Sequence, residues 1–286
     1  MRYASCAGVA LALCLAALMV LAVGADEATT SLPDEGGSDS SQVGEEIRWE
    51  WKRIITFSGY QWGVRHVEDV FTPNADEDTP IGPGPNFFSL TNENVWVDEQ
   101  GRLHLKITHR DGRWYCAGVT SLKSFGYGKY VFYTASRVDQ LDRNVVLGVF
   151  TWDEAPEYAH REIDIECARW GEDTEINGQF ATWPARPGKY RTFPIQLRGE
   201  YATHIIDWRS DRISFQSLRG HQSTPPDEEH VIASWTYVGD DIPRPGNEKA
   251  NMNLWLFKSM PPSDGREVEV VIARFEFVPH EVHDGP

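Results

Sequence analysis

Basic residues are scarce in this chain: Lys and Arg number 27 against 43 Asp and Glu in 286 residues, a formal net charge of −16. Nucleic acid is therefore a poor partner, because affinity there depends on neutralising phosphates with cationic side chains. Heavily sulfated polysaccharides are disfavoured by the same reasoning. No internal repeat is visible, which argues against a propeller or a solenoid. Apolar runs are short as well. The longest, from Ala7 to Val23, falls below the ~20 residues that a membrane-spanning helix needs. Cysteine is sparse, with four in all. Two of them, Cys6 and Cys14, lie in or beside that run. Cys116 and Cys167 remain, and the sequence leaves open whether they form a disulfide or stay as two buried thiols.

The N-terminal 25 residues have the layout of an export signal. Arg2 supplies a positive start, the apolar run follows, and Ala22-Val23-Gly24-Ala25 offers a small-residue cleavage site. A retained anchor is the competing reading. Residues 26–46 carry seven acids and no Lys or Arg, interleaved with Ser, Thr, Gly and Pro. Such a segment cannot bury enough apolar surface to fold and is expected to be a disordered acidic linker. Residues 47–286 are then expected to form one domain with about ten net negative charges. Its destination would be extracellular or periplasmic, without stable membrane insertion, and the protein is expected to act as a monomer.

Helical periodicity is also rare, whereas short alternating runs bounded by Gly, Pro, Asn and Asp recur from Ile54 to Val278. The pattern predicts strands over residues 94–97 and 102–108, joined as a hairpin by the Asp98-Glu99-Gln100-Gly101 turn. It predicts a second pair over 114–122 and 128–138, and further strands over 145–152, 161–168, 178–183, 201–208, 212–218, 251–257 and 267–278. A dozen strands in one domain imply two packed antiparallel sheets, an all-β sandwich of the jelly-roll kind. The longer loops are expected at 73–85, 155–160 and 184–194, where binding sites are commonly built.

One strand carries an unusual load. In Arg161-Glu162-Ile163-Asp164-Ile165-Glu166-Cys167 the strict alternation puts Glu162, Asp164 and Glu166 on one face and Ile163, Ile165 and Cys167 on the other. Three carboxylates in line repel one another and suit a strand badly, so the fold gains nothing from them. At ~3.3 Å per residue, Glu162 and Glu166 have Cα atoms about 13 Å apart, and side chains leaning together can bring the carboxyl groups to ~5 to 6 Å. That matches the spacing of a retaining glycosidase, in which one carboxylate attacks the anomeric carbon and one carboxylic acid protonates the leaving oxygen. Asp164 between them would help keep the acid protonated. The alternatives are a solvated acidic face or a Ca²⁺ site. Eleven Trp residues tilt the balance towards sugars, since flat aromatic faces suit pyranose rings. Trp152, Trp183 and Trp255 all fall on predicted strands, while Trp208, among isoleucines, is assigned to the core.

These residues bring out a resemblance. Glu162-Ile163-Asp164-Ile165-Glu166 resembles the unbulged Glu-x-Asp-x-Glu pattern of glycoside hydrolase family 16, the group of lichenases, laminarinases and xyloglucan transglycosylases. Ser124-Phe125-Gly126-Tyr127-Gly128-Lys129-Tyr130 is similar to that family's Phe-Gly-Tyr-Gly turn, and Asn251-Met252-Asn253-Leu254-Trp255 to its Met-Asn-Leu-Trp segment. The likeness runs with gaps from about residue 94 to residue 277. It implies a concanavalin A-like jelly roll, with Glu162 as nucleophile, Asp164 as assisting residue and Glu166 as acid/base. It implies that Phe150, Trp152, Gln179, Trp183, Asn253 and Trp255 line a polysaccharide cleft, and His160, where lichenases have Trp, is placed there as well. The position of a family histidine is Ala202 here; His204, two residues on, is expected to pack. The implied activity is a secreted retaining endo-β-glycanase acting on β-1,3 or mixed β-1,3-1,4 glucan. The alternatives are a transglycosylase and a catalytically inactive glycan-binding sandwich. No cofactor is expected, although a structural Ca²⁺ is compatible with the family.

Overall fold

The computed structural model of the chain describes residues 51–66 and 79–280. The expected signal, the acidic linker and part of the first long loop lie outside these residues. Among the described residues no helix is long and apolar enough to cross a membrane.

The chain is built almost wholly of strands, arranged as two antiparallel sheets packed face to face. The front sheet runs β1 (Ile54–Phe57), β2 (Tyr60–Val64), β6 (Arg113–Ser124), β15 (Lys249–Leu256), β8 (Val145–Trp152), β9 (Ile163–Cys167), β10 (Gly178–Thr182), β11 (Tyr190–Phe193). The back sheet runs β4 (Val95–Val97), β5 (Leu103–Arg110), β16 (Val268–Pro279), β7 (Gly128–Ala135), β12 (Tyr201–Trp208), β13 (Ile213–Arg219), β14 (Val231–Tyr237). A two-residue strand, β3 (Phe87–Phe88), adds a parallel pairing to β6. The sheets are joined at one corner, where the end of β5 pairs with the start of β6 across the Asp111-Gly112 turn. This is the expected all-β sandwich.

Aromatic side chains from both sheets fill the space between them. Trp62 on β2 meets Phe275 on β16 edge-to-face at 5.2 Å, and Phe180 on β10 stacks on Phe215 of β13 at 5.2 Å. Each buried ring removes enough apolar surface from water to contribute roughly 2 to 3 kcal/mol. The indole N–H groups that would otherwise be stranded inside have partners: Trp62 donates to the Phe57 carbonyl and Trp208 to the Pro243 carbonyl. Cys116 and Cys167 are both buried and free, so of the two readings the structure has two thiols. His204 is fully buried in the same core, beside Ser217 Oγ at 2.9 Å and Cys167 Sγ at 3.9 Å. Burial pushes its imidazole down to about 4, so it packs as a neutral ring, as expected.

Several expectations need correcting. The strands predicted over 114–122 and 128–138 exist but do not pair with each other. β6 lies between β2 and β15 in the front sheet, while β7 lies between β16 and β12 in the back sheet. The Gly126-containing turn between them therefore crosses from one sheet to the other. The stretch 184–194, read as loop, contains β11, and β14 falls where the alternation predicts no strand.

Candidate active site

Site construction begins with β9. Its odd residues are driven inward: Ile163 is 0 % and Ile165 1 % exposed, both in the core between the sheets. With the period fixed at two, Asp164 and Glu166 must face outward, and Glu162, in extended conformation just before the strand, does the same. Glu162 and Glu166 are half-buried and Asp164 is buried.

Hydrogen-bond register lays the neighbours out in rows across the outer face of the front sheet. The first row holds Glu162 beside Trp152, flanked by Trp183, whose backbone N–H donates to the Glu162 carbonyl. Ala181, Asp164, Phe150, Asn251, Thr120 and Gly63 make the second. The third holds Gln179, Glu166, Gly148, Asn253 and Gly118. Trp255 belongs to the next row beyond. Aromatics thus wall the two outer rows, and between them glycines, polar side chains and Phe150 line a trough running across the strands. From first wall to second is six residues, roughly 20 Å.

Two of the three carboxyl groups are held by hydrogen bonds. Trp183 Nε1 donates to Asp164 Oδ2 at 2.5 Å, and Gln179 Nε2 to Glu166 Oε2 at 3.1 Å. Burial raises all three carboxyls above the ordinary range. Glu166 is brought to about 8; Glu162 is raised further by the charge of Glu166, and Asp164 by both glutamates. The cluster therefore resists carrying three negative charges and retains protons near neutrality. Among the described residues no group of three or more His, Cys, Asp or Glu side chains is gathered as a metal-ligand set.

The approach to Glu162 is strained. Tyr158, Ala159, His160 and Arg161 all have left-handed backbone, with φ between 50° and 62°. L-residues pay about 1 to 2 kcal/mol each for that conformation. The turn is held from several sides. Arg161 Nη1 lies 3.0 Å from Asp153 Oδ2, its Nε donates to the Arg244 carbonyl, and Thr151 Oγ1 donates to the Arg161 carbonyl. His160 stacks on Trp152 at 4.3 Å with the rings 5° apart. Its Nδ1 donates to the Asp153 carbonyl at 2.9 Å, which fixes the proton on that nitrogen because a carbonyl can only accept.

Asn253 is 1 % exposed, and neither its Oδ1 nor its Nδ2 has a partner among the described residues. Leaving buried donors and acceptors unmet costs roughly 1 to 3 kcal/mol each, an expense that a ligand with hydroxyl groups would offset. The flanking glycines matter: a carbon added at Gly118 would fall 2.6 Å from Asn253 Oδ1. Phe150, Trp152, His160, Gln179 and Trp183, by contrast, are partly exposed along the trough. Trp255 differs. It is only 7 % exposed, packed on Trp170 at 6.2 Å, so it serves more as wall than as open platform.

Three residues at the site carry no sequence signal that would find them. Arg65 drapes its methylenes over Gly118 and donates to the Gly82 carbonyl. Glu154 accepts from Trp152 Nε1 at 3.2 Å, and burial brings its carboxyl to about 7. Trp51 lies over Gly63 at the end of the second row. No local motif marks any of them, because only the register brings them together.

No family model and no curated protein matches the chain. Solved structures do. A β-glucanase of Bacillus licheniformis superposes with a TM-score of 0.51 at 18% identity, covering 72% of this chain and 91% of its own. A family 16 glycoside hydrolase of Bacteroides ovatus, associated with mixed linkage glucan and solved with a product bound, gives 0.54 at 12% identity, covering 81% and 100%. A pseudo β-1,3-glucanase of Mycobacterium tuberculosis gives 0.50 at 18%, covering 77% and 91%. At such identities the likeness establishes a shared fold, and at that level the resemblance to family 16 holds.

Proposed function

We propose that this chain is a secreted retaining endo-β-glucanase acting on β-1,3 or mixed β-1,3-1,4 glucan. The observation that carries the reading is the outward-facing trio Glu162, Asp164 and Glu166, raised and coupled by burial and mutual charge, on the floor of an aromatic-walled trough. The shared fold with β-glucanases supports it.

In this mechanism the cluster carries one shared negative charge, and the reactive arrangement is the one with that charge on Glu162 and the proton on Glu166. The Glu162 carboxylate attacks the anomeric carbon while the Glu166 carboxylic acid gives its proton to the departing glycosidic oxygen, so the C–O bond to the leaving sugar breaks as the bond to Glu162 forms. Glu166, now ionised, takes a proton from water. The resulting hydroxide equivalent displaces Glu162 and restores the starting configuration after two inversions. Asp164, protonated and held by the Trp183 indole, orients Glu162, and the charge on Glu162 keeps Glu166 protonated until its proton is needed. Phe150, Trp152, His160 and Trp183 offer faces to the sugar rings, and Asn253 and Gln179 offer hydrogen bonds to their hydroxyls. No step requires a metal or cofactor.

The test is product analysis. The purified protein is incubated with β-glucans, galactans and xyloglucan, and products are followed by mass and by anomeric proton NMR. Retained configuration and fragments of internal cleavage are expected. Glu162→Gln and Glu166→Gln should each lose activity by about 10³-fold or more while remaining folded, and azide should restore part of the Glu166→Gln rate. Initial products of inverted configuration, or either variant matching the parent, would remove the mechanism. A glycan-binding protein without activity is the second reading, favoured by the pseudo-glucanase among the structural neighbours. The complete carboxyl trio weighs against it.

A further inference from the structure

The segment entering β1 contributes an aromatic to the same face as the carboxyl trio, far from it in the sheet. A side-chain carbon at Gly63 would fall 1.9, 2.2 and 2.4 Å from Cδ2, Cε3 and Cε2 of Trp51, so the indole lies directly on the glycine backbone. Gly63 pairs with Thr120, whose hydroxyl bonds Asn251 on the outer face, while Trp62 and Val64 on either side point into the core. The glycine therefore opens towards the trough, and its missing side chain is what gives Trp51 its seat. Ile54, directly across from Gly63 on β1, is 47 % exposed and extends the apolar ground beside the ring. Trp51 itself is partly exposed.

The second row connects this platform to the chemistry. From Asp164 on β9 the row passes β8, β15 and β6 before reaching β2, four strand spacings, or roughly 19 Å. Between them the floor of this row is lined by Phe150, Asn251 and Thr120, the last two bonded to each other, and the next row holds the Asn253 amide, which has no partner among the described residues. A glycan lying along the trough presents its hydroxyl edges to that floor, and the flat face of a ring to an aromatic at the end.

We infer that Trp51 forms a distal sugar-binding platform, stacking a glucosyl unit about four residues from the scissile linkage and so making long β-glucan chains the preferred substrates. This rests on the proposed glucanase activity and adds a chain-length preference to it. An exposed aromatic stack accounts for about a tenfold gain in kcat/KM, available only to chains long enough to reach it.

The experiment uses the full chain, with Trp51→Ala and Trp51→Phe, on a ladder of reducing-end-labelled β-glucan oligosaccharides from three units upward. In the parent, kcat/KM is expected to rise with length up to the chain that spans the trough. Trp51→Ala should lose that last rise, about tenfold, with short oligosaccharides unaffected, and Trp51→Phe should recover part of it. An unchanged length dependence in Trp51→Ala overturns the platform, as does an equal loss at every length. If the parent cleaves none of the glucans, the activity itself is what has failed. Migration of parent and Trp51→Ala through gels containing mixed-linkage β-glucan then decides the platform alone: weaker retardation of the variant supports it, and equal retardation overturns it.

Discussion

Replacing Asp153 by Asn tests whether the strained turn before Glu162 positions that carboxylate. The substitution keeps the shape of the side chain and one carbonyl oxygen, which can still accept from the Ala155 N–H at Oδ1, while the amide nitrogen replaces the Oδ2 that accepts from the Asn247 N–H. It removes the charge facing Arg161, whose side chain is 11 % exposed and whose other carboxylate neighbour, Glu157, is 3.7 Å away on the surface. Depriving a buried cation of its main partner costs about 3 kcal/mol, the low end of the range because Glu157 remains. In a domain of this size that lowers Tm by roughly 6 to 12 °C. The anchor also opposes the left-handed strain of four consecutive residues, about 4 to 8 kcal/mol in all, so weakening it lets the turn relax towards ordinary backbone and shifts Glu162. A displacement near 1 Å at a nucleophile reduces kcat by about 100-fold. Scanning fluorimetry gives Tm, and initial rates on β-glucan at 25 °C, well below both transitions, give kcat. A Tm within a degree of the parent would show that the ion pair holds nothing. A lowered Tm with unchanged kcat would show that the turn is structural and does not position the nucleophile.

Glu166→Gln should alter the pH dependence of stability in a defined direction. The Glu166 carboxyl stands at about 8 in the folded protein against an ordinary 4.5, raised by burial. Its stabilising share is complete below 4.5 and fades as pH rises through 8, because over that window the unfolded chain has already released the proton that the native state keeps. Gln never ionises, so the variant should gain several degrees of Tm over the parent at pH 8.5 and little at pH 4.5. A constant difference between the two would sink the burial argument. Gly118→Ala should leave Tm nearly unchanged, since the added carbon suits a strand, yet it meets Asn253 Oδ1 at 2.6 Å and must displace the amide. A fall in kcat/KM on β-glucan of about tenfold is expected, carried by KM; an unchanged KM would mean that Asn253 does not touch the glycan.

How far the fold and the site can be read from the sequence follows from the range of the physical signal. The strands 145–152 and 201–208 emerge with the bounds expected, since each is buried along most of its length and reads as a largely apolar run bounded by turn residues. β9 is legible as well, and the alternation alone is enough to set its three acids on one face and suggest the chemistry. β14, an edge strand with every residue at least partly exposed, only half-buries Ala233, Trp235 and Tyr237 against the core and so shows a weak pattern, and β11 lies in a Pro- and Gly-rich stretch that reads as loop. β6 and β7 read as partners because a short turn usually joins paired strands, and here it spans two sheets.

The bed on which a glycan would lie is a different kind of object from the motif. Glu166, Gly148, Asn253 and Gly118 form one row although they come from four separate strands, and nothing near any one of them in sequence signals the others. Their juxtaposition is created by hydrogen-bond register, and register depends on which faces are buried, so a one-residue slip in β15 would turn Asn253 into the core and bring Met252 or Leu254 out. The core thus protects the site indirectly: Met252 and Leu254, at 0 % exposure, are what hold Asn253 outward. Substitutions at these inward positions should therefore affect glycan binding through register rather than through contact.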